Sequence, residues 1–313
     1  MQSFFQSFII SLPGAVSTGI IWGIMAIGVY ITYKVLDLAD LTVDGSFATG
    51  GAVLAVMLNF NINIYICLVC AFLAGCLAGF VTGILHTKFG IPAILAGILS
   101  QLALYSINLR ILDGSNLTVG LDKVNMLLSS RNDMRAMLVG GAFAVVIIAA
   151  LYWFFGTERG HSVRATGANA AMSRANGINT ETNKVLGLVL SNGIVAIAGA
   201  LLTKYSGSAD INKGRGAIVI GLAAVIIGEV LFGKIFKNFA LRLLSAVLGG
   251  VIYYIAMTFI VQLGLDTNDL NLFTAMLVAL FLGVPYWKSK IAPKRVKAAV
   301  DNNNTDVGGE SNA

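Results

Sequence analysis

Two apolar runs, residues 137–155 and 185–202, stand on either side of a polar stretch, 157–184, that reads TERGHSVRATGANAAMSRANGINTETNK. A helix rising about 1.5 Å per residue needs about 20 apolar residues to cross a bilayer. Within hydrocarbon, only helices and closed barrels satisfy their own backbone polar groups. Runs of this length therefore restrict the chain to membrane-crossing helices and place the stretch between them in water on one side. Of the 313 residues, 57% are hydrophobic and 12% charged, with a mean hydropathy of +0.83, which sets soluble classes aside. The net charge of +6 does not point to nucleic acid, because in a membrane protein the side on which charge collects matters more than its total.

Nine candidate spans follow from the same length rule: 13–36, 41–58, 62–86, 91–111, 136–156, 184–203, 216–236, 240–264 and 271–287. The second carries Asp44-Gly45-Ser46 and is expected to be broken or re-entrant there. The fold class is all-α and polytopic, with residues 1–290 as one transmembrane domain. Residues 291–313 follow as a basic and then disordered cytoplasmic tail. Nine crossings with a cytoplasmic C-terminus put the N-terminus outside. The cytoplasmic side then collects Lys34, Lys88, Arg159, Arg164, Arg174, Lys184, Lys234, Lys237, Arg242 and the tail cations Lys288, Lys290, Lys294, Arg295 and Lys297. The outer side keeps Arg110, Lys123, Arg131, Arg135, Lys204, Lys213 and Arg215, a two-to-one bias that supports this orientation. The tail cations also suit anionic lipid headgroups. No charged segment precedes the first apolar run, so a cleaved signal peptide is not expected.

Inside the polar stretch, residues 168–176 can form a short helix of small side chains, stopped by Asn176-Gly177 in a left-handed turn. Such a helix is marginal alone in water and needs a surface to dock on. Gly75, Gly79 and Gly83, extended by Ala71, form a stripe on which a second helix can approach closely, and packing within the subunit is the simpler use. Cys67, Cys70 and Cys76 fall in one apolar segment without a second ligand pair and read as small packing residues.

Two motifs tempt an enzymatic reading. GEVLFGK (228–234) has the spacing of a phosphate-binding loop but is followed by Ile235 where Ser or Thr is required, and it lies in an apolar segment. Asp37, Asp40 and Asp44 resemble the first magnesium-binding motif of intramembrane prenyltransferases, since carboxylates three and four apart share a helix face. The later pair Asp266 and Asp269 falls on the other side with the wrong spacing. Glu229, an acid within an apolar segment, is a pathway candidate or a plain anchor, and it motivates an ion-coupled secondary transporter as a further alternative. Asn108 and Arg110 sit near the outer end of the fourth segment.

Three blocks carry a family resemblance. ADLTVDGSFATGGAV (39–53), GHSVRATGANAAMSRANGI (160–178) and SNGIVAIAGALL (191–202) resemble the permease subunits of ATP-binding-cassette importers, in the family that holds branched-chain amino acid and ribose permeases. HTKFGIPAILAGILSQLALYSINLRI (86–111) with LTVDGSF looks closest to a bacterial branch linked to tryptophan or tyrosine uptake. The resemblance implies a non-catalytic permease in the bacterial cell membrane, importing a small solute. An aromatic amino acid is the first choice of solute, with a sugar or nucleoside as the alternative. It implies that 168–176 is a coupling helix seated in a groove of a separate ATPase subunit, with Arg164, Gly167, Asn169, Ala171, Arg174 and Gly177 as contacts. ATP and magnesium would sit on that partner, no cofactor or metal in this chain. It further implies an extracytoplasmic solute-binding protein and a second permease copy. Asp44, Ser46, Thr49, Asn108 and Glu229 are the pathway candidates.

Overall fold

The computed structural model describes residues 2–119, 133–262, 272–276, 278–280 and 283. Its long helices are α1 (Gln2–Tyr30), α2 (Thr42–Asn59), α3 (Ile64–Thr87), α4 (Ala93–Leu112), α5 (Asp133–Phe155), α8 (Thr180–Ser206), α9 (Ala217–Phe232) and α10 (Phe239–Gln262). Two short helices, α6 (Glu158–Ala168) and α7 (Ala170–Ala175), join α5 to α8. Seven segments among the described residues are long and apolar enough to cross a membrane, and α2 is an eighth long helix packed among α3, α4 and α8. These eight coincide with the first eight candidate spans. The ninth, 271–287, is described in part, with 272–276, 278–280 and 283 helical, whereas the loop 120–132, Asp266, Asp269 and the tail 291–313 lie outside the described residues.

The bundle has two distinguishable ends. At one, α6 packs on the end of α1 and on α8, Lys34 pairs with Glu229 of α9 at 2.8 Å, and Lys184 of α8 meets His86 of α3 at 3.4 Å. The Nδ1 of that histidine lies 2.9 Å from the carbonyl of Ile91. A carbonyl only accepts, so Nδ1 carries the proton and Nε2 accepts from the lysine. At the other end, strands β1 (Asn116–Thr118) and β2 (Ser208–Asp210) pair antiparallel, with Leu117 opposite Ala209.

Small residues set the packing. Without a hydrophobic gain from moving apolar surface out of lipid, helices associate by close van der Waals contact, which glycine permits. Gly75 and Gly79 on α3 lie so near the carbonyls of Asn192 and Leu188 on α8 that a Cβ has no room. The glycine stripe is thus an intramolecular seam. Gly50 of α2 sits equally close to Ala196, and Gly199 of α8 to Phe47. Cys67 is buried in α3, and Cys70 and Cys76 are half-buried, all free thiols.

The expected break at Asp44 is not found; the irregular backbone precedes α2, at residues 31–41 between the first two spans. α1 winds into a π-helical turn, Ile31–Val35, closed by Leu36 N–H donating to Ile31 O at 3.0 Å, and Asp37 then adopts a left-handed conformation (φ 55°). The chain climbs back through residues 38–41 before α2 begins unbroken at Thr42, with Asp44 in its first turn. Irregular backbone at this depth survives because protein covers it. Asp40, 3% exposed, accepts from Thr42 N–H at 2.9 Å and from Asn192 Nδ2 at 2.7 Å. The loop is tied to α8 through a carboxylate that the sequence offers to a metal.

Candidate functional site

Two places gather the polar residues that a chain of this composition keeps few of. The first is the α6–α7 segment. Thr157 caps α6, its hydroxyl accepting from Gly160 N–H at 3.3 Å, and Asn169 caps α7, its Oδ1 accepting from Met172 N–H at 2.9 Å. Such caps satisfy donors that short helices otherwise leave open. α7 ends in Gly177 at φ 78°, the left-handed stop that the Asn-Gly pair leads one to expect. The helix itself is 170–175, slightly inside the expected 168–176, because Asn169 is extended and acts as its cap.

The expected contact residues divide into two groups. Gly167 faces inward: a side chain there would strike the carbonyl of Val35 and the backbone of Leu36, so its smallness seats α6 on the end of α1. Thr166 beside it is buried and accepts from Asn183 Nδ2 at 3.0 Å, which fixes α6 against α8. Asn169, Ala171, Arg174 and Gly177 are exposed. Arg164 is exposed too, its guanidinium 5.2 Å from the ring centroid of Phe239. Sequence reading passed over Met172, which projects from α7 with 65% of its surface exposed. α7 is thus a small knob with an apolar tip and an adjacent cation.

The second place is the middle of the bundle. Ser46 Oγ donates to Asn192 Oδ1 at 2.6 Å, and that same amide donates to Asp40 and to Leu188 O. Thr42 and Thr82 hydroxyls lie 2.8 Å apart, and Thr82 is within 2.7 Å of Ser100. Every member is buried. Thr49 of the candidate set spends its hydroxyl on Gly45 O, one turn back. Asp44 does something different: its two oxygens accept from Gly216 and Ile218 N–H, both at 2.9 Å, and so cap α9 from another helix. A carboxylate at a helix N-terminus satisfies orphan donors and meets the positive end of the dipole.

Asp37, Asp40 and Asp44 therefore share no helix face. Asp37 and Asp40 lie in the irregular link, and among the described residues no group of three or more His, Cys, Asp or Glu side chains gathers to hold a metal. The arrangement gives no foothold to the prenyltransferase alternative. GEVLFGK lies within and just past α9, whose helix continues to Phe232, so it forms no phosphate loop after a strand. Glu229 stands at the α6–α7 end with Lys34, both about half exposed, and not in the bundle interior with the other pathway candidates.

Between α2, α4 and the turn 211–215 lies a cavity of about 270 Å³, lined by Asp44, Gln101, Tyr105, Asn108 and Arg215 among others. Asn108 is fully buried, and neither of its amide atoms has a hydrogen-bond partner among the described residues. The sequence counted Arg215 among the cations of the outer side. The structure carries it into this cavity because residues 207–216 turn back along α2 after α8 ends at Gly207 (φ 72°).

A polytopic helical bundle with a water-facing knob between its fifth and sixth long helices and a polar interior is built as a membrane transport component. The chain belongs to the family of branched-chain amino acid transport system permease components, whose profile matches residues 12–285. It is similar to a tyrosine transport system permease protein of Clostridioides difficile (strain R20291), 38% identical over 263 residues, 84% of this chain and 87% of that one. It is also similar to protein RP368 of Rickettsia prowazekii (strain Madrid E), 32% identical over 82% of this chain and 91% of the other. The ribose import permease protein of Escherichia coli (strain K12) is more distant, at 26% over 80% and 74%. The chain is a multi-pass membrane permease of the ATP-binding-cassette importer class, a non-catalytic transport component.

Proposed function

We propose that this permease carries an amino acid, an aromatic one first among candidates, inward across a bacterial cell membrane with ATP hydrolysed by a partner chain. The substrate reading is supported by the tyrosine permease relative, at 38% identity against 26% for the ribose permease. α7 is the coupling helix: it is short, tied down at both ends, and offers Ala171, Met172 and Arg174 to solvent. Met172 would enter an apolar groove on the ATPase, while Arg174 would pair with an acid at its edge. Gly167 and Gly177 serve the same surface indirectly, one by seating α6 and the other by turning the chain into α8. ATP and magnesium belong to the partner.

In this reading residues 1–290 are one permease domain, with its coupling stretch at 157–184, and 291–313 is a cytoplasmic tail. The α6–α7 end faces the cytoplasm and the strand end faces out, with the N-terminus outside. A second copy of the chain completes the pathway, a solute-binding protein docks on the strand end, and lipid surrounds the pair. Closure of the ATPases then rocks the two permeases between states as rigid bodies.

The carrying observation is the exposed α7 knob. Affinity purification of the tagged chain from native membranes in mild detergent should recover an ATPase subunit. Met172→Glu with Arg174→Glu should abolish that recovery while leaving a monodisperse permease. Undiminished recovery with the double variant would remove α7 as the coupling element.

A further inference from the structure

We propose that the cavity between α2, α4 and residues 211–215 is a binding site for a zwitterionic α-amino acid, in which Arg215 takes the carboxylate and Asn108 with Gln101 takes the ammonium group. It rests on the importer reading above and adds a site and a charge pattern to it.

Gln101, Tyr105 and Asn108 stand four and then three residues apart on α4, so they share one face of a helix whose other residues are largely apolar. All three line the cavity. Asn108 is the decisive residue. A primary amide carries two donor hydrogens and an accepting oxygen, and burying it unpaired costs about 1–3 kcal/mol. Asn108 bears that cost, with 0% exposure and no partner at either atom among the described residues. A polar solute in the cavity would supply the missing partners once the Asn108 side chain turns toward it.

The charges in the same lining are complementary to a zwitterion. Arg215 holds its guanidinium carbon 5.9 Å from the Tyr105 ring centroid and forms no salt bridge among the described residues. Its planar fork is suited to a carboxylate, which it can hold by two parallel hydrogen bonds. Asp44 supplies the opposite sign. Its oxygens are engaged by the backbone of Gly216 and Ile218, not by Arg215, so the guanidinium stays free for a carboxylate while Asp44 acts on the cavity through its field alone. An ammonium group finds there the Asn108 and Gln101 side-chain oxygens within the field of the Asp44 carboxylate. A neutral sugar would leave the guanidinium without a counter-charge, and a simple anion would meet Asp44 unfavourably. Tyr105, 40% exposed, offers a ring edge or face to the solute's side chain. The volume of about 270 Å³ suits one small molecule.

The test uses the full chain assembled with its ATPase in lipid nanodiscs, without a solute-binding protein, and radiolabelled L-tyrosine as the probe in equilibrium binding. Arg215→Met should weaken binding at least about tenfold, as should loss of a bidentate charged contact worth about 1.4 kcal/mol or more. Asn108→Leu should weaken it several-fold, and Arg215→Lys should fall between Met and the native residue. Tyramine, which lacks the carboxylate, and 4-hydroxyphenylpropionate, which lacks the ammonium, should compete at least about tenfold less well than tyrosine. Arg215 is exposed and outside the packed seams, so its variants keep the fold even if Asn108→Leu does not. Unchanged binding in Arg215→Met, ribose competing as well as tyrosine, or no binding by an assembled complex that still drives uptake would each overturn the site while sparing the importer reading. A native chain that never recovers an ATPase would overturn both.

Discussion

Replacing Asn192 by Leu should unpick the junction that holds the α1–α2 link inside the bundle. The native amide donates to Asp40 at 2.7 Å and to Leu188 O at 3.0 Å, and accepts from Ser46 at 2.6 Å. The substitution leaves Asp40, 3% exposed, with Thr42 N–H in place of two partners, and leaves the Ser46 hydroxyl to find another acceptor. A hydrogen bond to a charged group contributes about 1.5–3 kcal/mol, and an orphaned hydroxyl costs about 1–3. Little is regained from the new apolar surface, because the competing environment is lipid. The two losses overlap, since Asp40 can protonate, so the expected destabilisation is about 3 kcal/mol. Reversible unfolding in mixed micelles would measure it, in a double-mutant cycle with Asp40→Ala. Interhelical hydrogen bonds in membrane proteins average only about 0.6 kcal/mol. A coupling above about 1.5 would mark this junction as the charged, fully covered case argued here. Additivity of the two substitutions within about 0.5 kcal/mol would refute it.

Other expectations follow from the same contacts. Gly79→Val should prevent α3 from closing on α8 and abolish recovery of folded protein by size exclusion, whereas Gly141→Val, with open space around it, should not. Gly167→Ala should displace α6 from the end of α1 and lower ATPase recovery without loss of the bundle, because the clash is with backbone at Val35 and Leu36. Gly177→Ala meets no atom and should cost only the strain of its left-handed conformation, about 1 kcal/mol, seen as a small shift in thermal unfolding. Lys34→Gln should change stability by less than about 1 kcal/mol, since the Lys34–Glu229 pair is about half exposed.

The spans were legible because length and hydropathy report directly on a 30 Å layer; the first eight ranges each meet an observed helix, and the described residues of the ninth are helical. The Asn176-Gly177 stop was legible for an equally local reason. Asp40 and Asn192 were not, since nothing local says that a carboxylate at the foot of one helix faces an amide 152 residues away. Asp44 misled because its job is remote: it looks like a helix breaker and instead caps α9, so α2 stays whole. Gly167 was named as a contact to another chain, yet its missing side chain serves its own. Arg215 was counted only as an outer-side cation, because the fold-back of 207–216 leaves no mark on hydropathy. The spacing of Gln101, Tyr105 and Asn108 was the one available signal of the cavity, a polar stripe of helical period in an apolar span.

ATP-driven uptake tests the account most directly. Proteoliposomes holding the permease with its ATPase, and supplied with the solute-binding protein, should accumulate labelled L-tyrosine when ATP is present on the α7 side. Met172→Glu with Arg174→Glu should reduce that uptake at least about tenfold, the loss expected when a coupling contact worth about 1.4 kcal/mol or more is removed. Uptake by the permease alone under an ion gradient, unaffected by the α7 substitutions, would contradict it.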